Sequence, residues 1–276
     1  VAGGAGLAGG FNTPLMGVVF VAEEFLGTFS MRLIWPALVI SALAAAVSSA
    51  VGEPEFALGM VGVGPAELIQ LGWALPIGVL AGALGAVFAR TLLQVTRRFR
   101  SLLQRQPLRL GLLLGVCLSV FLLLSGGASG CDGELLMRHM IEGGSPTNAL
   151  LPGVLGDLFT LVLGGIGPVL ALGAGIPGGL IDPSFAFGAV LGQSLGDAGM
   201  VPQMGLAFGM VAGLAGATQL PVMAVLFAVR MAGDQQLLPG LLLASVIAAY
   251  VSRLLVDKPV YHALKDIGDE PLAPAS

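Results

Sequence analysis

The sequence predicts an all-α polytopic membrane protein with inverted structural repeats and broken or re-entrant helices. Three observations support this fold class: the composition, the spacing of the charged residues, and a similarity between two distant parts of the chain. Of the 276 residues, 56% are hydrophobic and 10% are charged, against about 45–50% and about 25% in soluble domains. This composition excludes a water-soluble globular protein.

The charged residues leave seven uncharged stretches, most of them as long as the roughly 17–25 residues that cross a bilayer as a helix. They are residues 1–22, 33–52, 68–89, 110–131, 158–181, 198–229 and 235–252. The 43 glycines and 17 prolines predict broken helices, which persist at membrane depth only where they line a cavity or are buried in protein. Segments 55–75 and 150–235 are therefore expected to form short or re-entrant helices, as in a transporter or a channel.

The basic residues predict the orientation in the membrane. Half of the twelve Lys and Arg residues lie between Arg90 and Arg109, and the positive-inside rule places this segment, which we expect to be a loop, in the cytoplasm. Counting spans from it places Glu23 and Glu24 on the same inner side. Because the basic residues are clustered here and the net charge is only −4, a nucleic acid is not expected as a partner.

A shift of 207 positions superimposes the start of the chain on a later segment, with nine identities in the twenty positions from Ala5 to Glu24. Such internal symmetry is typical of transporters built from two repeats around a site near the midplane. We therefore assign residues 1–52 to the end of a first repeat and residues 53–276 to linking spans and a second repeat. A chance match between two Gly/Ala-rich helices is the alternative. The aligned identities are Ala5-Gly6-Leu7-Ala8-Gly9 with Ala212-Gly213-Leu214-Ala215-Gly216, and Pro14, Met16, Val18 and Phe20 with Pro221, Met223, Val225 and Phe227.

A glycine-rich segment from Gly175 to Pro183 precedes an apolar helical run. The first N–H groups of a helix lack intrahelical partners, and the helix dipole adds partial positive charge there, so this position suits a dehydrated anion. A larger residue at Gly179 is expected to disturb such a site by moving the backbone. A helix broken for purely structural reasons would have the same sequence, so both interpretations remain open from the residues alone.

Three motifs resemble the CLC family of chloride channels and proton/chloride antiporters, in the family's order and with family-like separations. The first is similar to the helix that follows the gating glutamate, the second to the Gly-x-Phe-x-Pro filter motif, and the third to the motif with the filter tyrosine. They are residues 11–24, residues 178–183 and residues 258–261. The resemblance covers essentially the whole chain.

The resemblance implies a role for five residues. The amides of Leu180 and Ile181, beside Gly179, would bind the central anion, and the Tyr261 hydroxyl would donate a hydrogen bond to it. Glu24 would be the internal proton-transfer carboxylate, with a pKa raised towards neutrality by partial burial. The family's filter serine and gating glutamate motifs do not occur in this chain, and we expect both upstream of its first residue.

The function that the resemblance implies is chloride transport across the membrane by proton-coupled antiport. It also implies a homodimer with one pathway per subunit and a location in a bacterial inner membrane, with no cofactor or metal. A passive chloride channel or a fluoride channel is the alternative, and Glu24 favours the antiporter because channels of the family tend to lack an acid there. Ile181 stands where the family usually has Phe, and Asp182 adds a carboxylate beside the anion site; both departures from the family pattern are expected to affect selectivity.

A membrane enzyme is the competing class. An intramembrane serine hydrolase would need a histidine beside a buried serine, and both histidines, His139 and His262, lie outside the uncharged stretches. We expect both to be solvated or interfacial, and Glu23 to belong to a solvated inner collar. The two cysteines, Cys117 and Cys131, provide neither a disulfide framework nor a metal-binding pattern.

Small residues predict close helix packing at residues 41–49 and 207–217, which we expect to include the dimer contact. The chain continues for only fifteen residues after Tyr261. No cytoplasmic regulatory domain is therefore expected.

Overall fold

All the regular elements that the structure describes are helices, as the sequence predicts. The structure, a computed structural model, describes residues 1–26, 30–52, 68–124, 133–144, 154–176, 178–196, 199–232 and 235–269. Cys131 and the segment 53–67 lie outside these ranges. The helices are α1 (Ala2–Phe11), α2 (Pro14–Phe20), which a π-type turn (Val21–Leu26) continues, α3 (Met31–Val51), α4 (Leu68–Leu71), α5 (Ala74–Arg105), α6 (Pro107–Leu124), α7 (Glu134–Ile141), α8 (Val154–Gly173), α9 (Ile181–Gly196), α10 (Pro202–Thr218), α11 (Pro221–Ala232), α12 (Leu238–Leu255) and α13 (Val260–Asp269).

Four helical segments in the described part of the chain are long and apolar enough to cross a membrane: α3, α5, α6 and the segment Leu238–Asp269. The leucines of α6 are largely exposed, as in a helix that faces lipid. By contrast, α9, α10 and α11 have 16, 17 and 12 residues, fewer than the roughly 20 residues of a full span. The prediction of short helices within residues 150–235 is confirmed.

The segment predicted to be a basic loop is helical. Helix α5 continues to Arg105, and Gln106 alone separates it from α6. The prediction was wrong because Arg, Leu and Gln are good helix formers, and because buried Leu92 and Leu93 keep one face of α5 against the core. The Arg100 guanidinium donates to the carbonyls of Ile267 and Gly268, which caps the C-terminal end of α13.

The shift of 207 positions also relates the local structure of the two matching segments. Helix α1 ends before Asn12, and α10 ends before Gln219, its counterpart in the repeat. Both residues adopt left-handed conformations, with φ of 49° and 63°. A proline then starts the next helix in each case, at Pro14 and Pro221. The same helix, left-handed turn and proline-started helix therefore occur twice.

The centre of the fold is a close crossing of α9 and α10. A Cβ at Gly188 would overlap the carbonyl oxygen of Gly209, and a Cβ at Gly192 would overlap that of Gly205. Glycines at these positions let the two backbones touch, as in membrane helix pairs with small residues four apart. The whole of α10 from Met204 to Thr218 is buried inside the chain. The expectation that residues 207–217 take part in the dimer contact is therefore wrong, because α9 and other helices already cover them.

We expect Gly192→Ala to destabilise the protein by about 1–3 kcal/mol, because the added methyl group forces α9 and α10 apart. Gly115→Ala is the matched control, since a Cβ at Gly115 meets no atom of the described residues within 4 Å and alanine favours the helix. Thermal unfolding in detergent measures both variants. Equal melting temperatures for Gly192→Ala and the unmodified protein would show that the crossing tolerates the extra methyl group.

Candidate functional site

The start of α9 provides two free backbone donors. The chain leaves α8, turns at Gly175 with a φ of +77°, and begins α9 at Ile181. Leu180 precedes the first helical residue, and among the described residues no backbone carbonyl accepts a hydrogen bond from the N–H of Leu180 or Ile181. These two amides are therefore available to a ligand, as expected at a helix N-terminus.

A cavity of about 530 Å³ lies at this helix start and is lined in part by Leu180 and Ile181. Its lining includes Gly179, Leu180, Ile181 and Tyr261, together with apolar side chains from several helices. The ring of Tyr261 packs edge to face against Phe20, with ring centroids 5.7 Å apart. The four residues predicted to bind the anion therefore surround one cavity, while their role in binding stays a prediction.

Gly179 has more room than the sequence indicates. A Cβ there would lie 3.9 Å from the nitrogen of Ile181 and would touch nothing closer. The expectation that a larger residue at Gly179 moves the backbone is therefore wrong. Such a side chain would instead enter the cavity beside the amides.

Asp182 occupies the second position of α9. An acidic residue in the first helical turn interacts favourably with the helix dipole. Its carboxylate and that of Glu24 lie close enough to Tyr261 to interact electrostatically with it. The residues that line the cavity therefore have negative charge nearby, which would oppose very tight binding of an anion.

Glu24 is buried on the π-type turn that continues α2, outside the four helical segments long enough to span the membrane. Its Oε1 lies 2.9 Å from Nδ1 of His262, and its side chain is only 4% exposed. Burial raises the pKa of the Glu24 carboxyl above its ordinary value, and the charge and hydrogen bond of His262 oppose this rise. A raised pKa is the direction that a carboxyl group needs to take up and release protons nearer to neutral pH.

Glu23 does not belong to a solvated collar, contrary to the sequence-based expectation. Its Oε1 and Oε2 accept hydrogen bonds of 3.1 Å and 2.9 Å from the N–H groups of Val222 and Met223. These N–H groups lie in the first turn of α11 and have no partner within the helix. Glu23 therefore caps α11 and links the two repeats. Burial raises the pKa of the Glu23 carboxyl, and the two backbone hydrogen bonds oppose the rise.

The contact of His262 with Glu24 was also missed by sequence reasoning. The prediction that His262 is interfacial agrees with its 53% exposed side chain, but its partner lies far away in the chain. One feature of the sequence could have indicated this contact. His262 directly follows Tyr261, at the start of the helix that brings Tyr261 to the cavity.

Two curated proteins are similar to most of the chain. The H(+)/Cl(-) exchange transporter ClcA of Vibrio cholerae serotype O1 is 31% identical, over 94% of this chain and 56% of ClcA. The voltage-gated ClC-type chloride channel ClcB of Escherichia coli is 30% identical, over 94% of this chain and 62% of ClcB. The chain therefore spans a little more than half the length of these relatives.

Two solved structures share the fold. A CLC-type fluoride/proton antiporter has a TM-score of 0.75 and 26% identity, over 91% of this chain and 62% of that protein. A slow cyanobacterial Cl⁻/H⁺ antiporter has a TM-score of 0.70 over 97% of this chain and 64% of that protein, with 20% identity, and shows the fold alone. The family model described as "Voltage gated chloride channel" matches residues 1–253. The chain therefore belongs to the voltage-gated chloride channel (CLC) family of polytopic membrane proteins.

Proposed function

We propose that this chain takes part in proton-coupled chloride transport, with the anion held at the start of α9 and protons passing through Glu24. The observation that carries the proposal is that Leu180, Ile181 and Tyr261 line one cavity, with the buried carboxylate of Glu24 close enough to Tyr261 to interact with it. The similarity to the H(+)/Cl(-) exchange transporter ClcA supports the same function.

The chemistry of the cavity favours a weakly hydrated anion. Its walls are mostly apolar, and its donors are the neutral N–H groups of Leu180 and Ile181 and the phenol of Tyr261. An ion that enters must give up most of its water, which costs chloride less than the more strongly hydrated fluoride. The negative charge of Asp182 and Glu24 weakens binding, and transport needs an anion that can leave as well as enter.

Fluoride is the second candidate substrate, because the solved CLC-type fluoride/proton antiporter has the same fold over 91% of this chain. Parallel efflux assays with chloride and fluoride in proteoliposomes of the full-length protein distinguish the two. We expect faster chloride efflux accompanied by proton movement. Efflux of fluoride alone would support the second candidate, and chloride efflux without protons would support a passive channel.

We also propose that the protein is a homodimer in a bacterial inner membrane. The outer face of α3 is available for the dimer contact, since the side chains of Trp35, Val39, Leu43 and Val47 lie about one turn apart and are 63%, 57%, 60% and 60% exposed. Mass measurement of the full-length protein in detergent should give twice the subunit mass. A strictly monomeric particle would contradict the dimer.

A further inference from the structure

A histidine and a glutamate from distant parts of the chain meet beside the candidate anion cavity. Nδ1 of His262 lies 2.9 Å from Oε1 of Glu24. Glu24 lies on the π-type turn after α2, and His262 lies in the first turn of α13, directly after Tyr261. The contact therefore joins the carboxylate to the helix that also contributes Tyr261 to the cavity.

The two side chains differ sharply in their access to solvent. His262 is 53% exposed, whereas Glu24 is 4% exposed. The other carboxylate oxygen of Glu24, Oε2, is buried and has no hydrogen-bond partner in the part of the chain that the structure describes. A buried carboxyl group can exchange protons with water through a neighbour that contacts both the carboxyl group and the solvent, and the position of the His262 imidazole meets both conditions.

We propose that His262 carries protons between the cytoplasmic solution and Glu24, and so sets the pH range in which proton transport operates. This inference rests on the proposed proton transport through Glu24. Histidine suits the task because it is the side chain that ordinarily changes charge between pH 5 and 8. Its two ring nitrogens allow a proton to bind at one side of the ring and to leave from the other.

The transfer is balanced without any further reactant. In the neutral ring, Nδ1–H donates to the Glu24 carboxylate. A proton from water then binds Nε2, the Nδ1–H bond breaks, and a new O–H bond forms at Oε1 of Glu24. The ring is left neutral with its proton on Nε2, and exchange with water restores the first tautomer. One proton has then moved from the solution to the buried carboxyl group.

The charges around His262 leave Glu24 as its principal partner. Lys258, just before α13, and Asp266 on α13 form an exposed ion pair at 2.8 Å, which largely neutralises both. The Glu23 carboxylate is held by the first turn of α11. Helix α10, which also packs against α13, has no charged residue. Other charged groups near this end of the fold, among the described residues, include Lys265 and Asp269 on α13, Asp257 before it, Arg253 on α12, Arg100 on α5 and Asp182 on α9.

The test compares His262→Asn with the unmodified protein in proteoliposomes of the full-length protein. Asparagine can keep an N–H donor near the position of Nδ1, but it cannot take up a proton. We expect proton uptake to fall about tenfold or more and to lose its dependence on pH between 5 and 8, while chloride flux changes little. His139→Asn is the matched control, because His139 is exposed on α7 and should show the unmodified behaviour.

A second variant separates proton transfer from a structural role. His262→Ala leaves room for free imidazole, which should restore proton uptake when it is added to the solution on the Glu24 side. Unchanged proton uptake in His262→Asn would overturn the proposal. Equal loss of chloride and proton flux, without rescue by imidazole, would also overturn it. Glu24→Gln is measured in parallel: if coupling survives in that variant, the proposed function itself fails, whatever His262 does.

Discussion

Glu24→Gln is expected to abolish proton uptake driven by a chloride gradient while leaving chloride flux largely intact. Glutamine has nearly the same shape as glutamate, and its side-chain oxygen can still accept a hydrogen bond from His262 at the position of Oε1. The amide cannot bind and release a proton as a carboxyl group does. The variant therefore removes one chemical step and keeps the packing of the π-type turn. Simultaneous recording of external pH and chloride in proteoliposomes of the full-length protein measures both fluxes.

Glu23→Gln is the matched control for this experiment, because it makes the same change at the neighbouring position. Glu23→Gln should reduce the stability of the protein and not its proton coupling, since a neutral amide caps α11 less well than a carboxylate. We expect a loss of about 1 kcal/mol in stability with coupling retained. Proton uptake that persists in Glu24→Gln would show that Glu24 is not the internal proton carrier, and a passive channel would then become the leading interpretation.

Gly179→Leu is expected to reduce chloride affinity by about tenfold or more, because the added side chain would cover the amides that bind the ion. The space at Gly179 is open: among the described residues, apart from its chain neighbours, the nitrogen of Ile181 alone lies within 4 Å of the position that a Cβ would occupy. The backbone conformation and the stability of the fold should therefore be unchanged. Calorimetric titration of the full-length protein with chloride measures the affinity.

The controls for the anion site are Gly179→Ala and Ile181→Phe. The single methyl group of alanine makes only ordinary contact with the Ile181 nitrogen, so its effect should be smaller than that of leucine. Ile181→Phe changes the side chain and keeps the amide, so selectivity should change modestly while binding persists. Unchanged affinity in Gly179→Leu would contradict the assignment of the amides.

The sequence predicted those features that depend on local pattern. The match at a 207-residue shift predicted two structural repeats, and the left-handed residues Asn12 and Gln219 occupy equivalent positions in them, because such a turn and the following proline are set by neighbouring residues. The glycine-rich start of α9 was likewise visible, since glycine and proline break helices locally. Gly179 and Tyr261, which the motifs assign to the anion site, line one cavity, while their role in binding stays a prediction.

The features that the sequence missed depend on contacts between distant residues. Glu23 caps α11, and His262 meets Glu24, although each pair of partners is far apart in the chain. Burial of residues 207–217 was missed because a small-residue face is the same in sequence whether a helix of the same chain or of a second copy covers it. The basic segment that starts at Arg90 was assigned to a loop because its charge indicates topology and not secondary structure.

The most direct test of proton-coupled chloride transport is whether a chloride gradient moves protons uphill. Proteoliposomes containing the unmodified full-length protein are loaded with high chloride at equal internal and external pH, and are then diluted into low chloride. Coupled exchange predicts that chloride efflux drives proton uptake, so that the external pH rises with no initial proton gradient. Chloride efflux at a constant external pH, with the membrane potential clamped, would contradict the account.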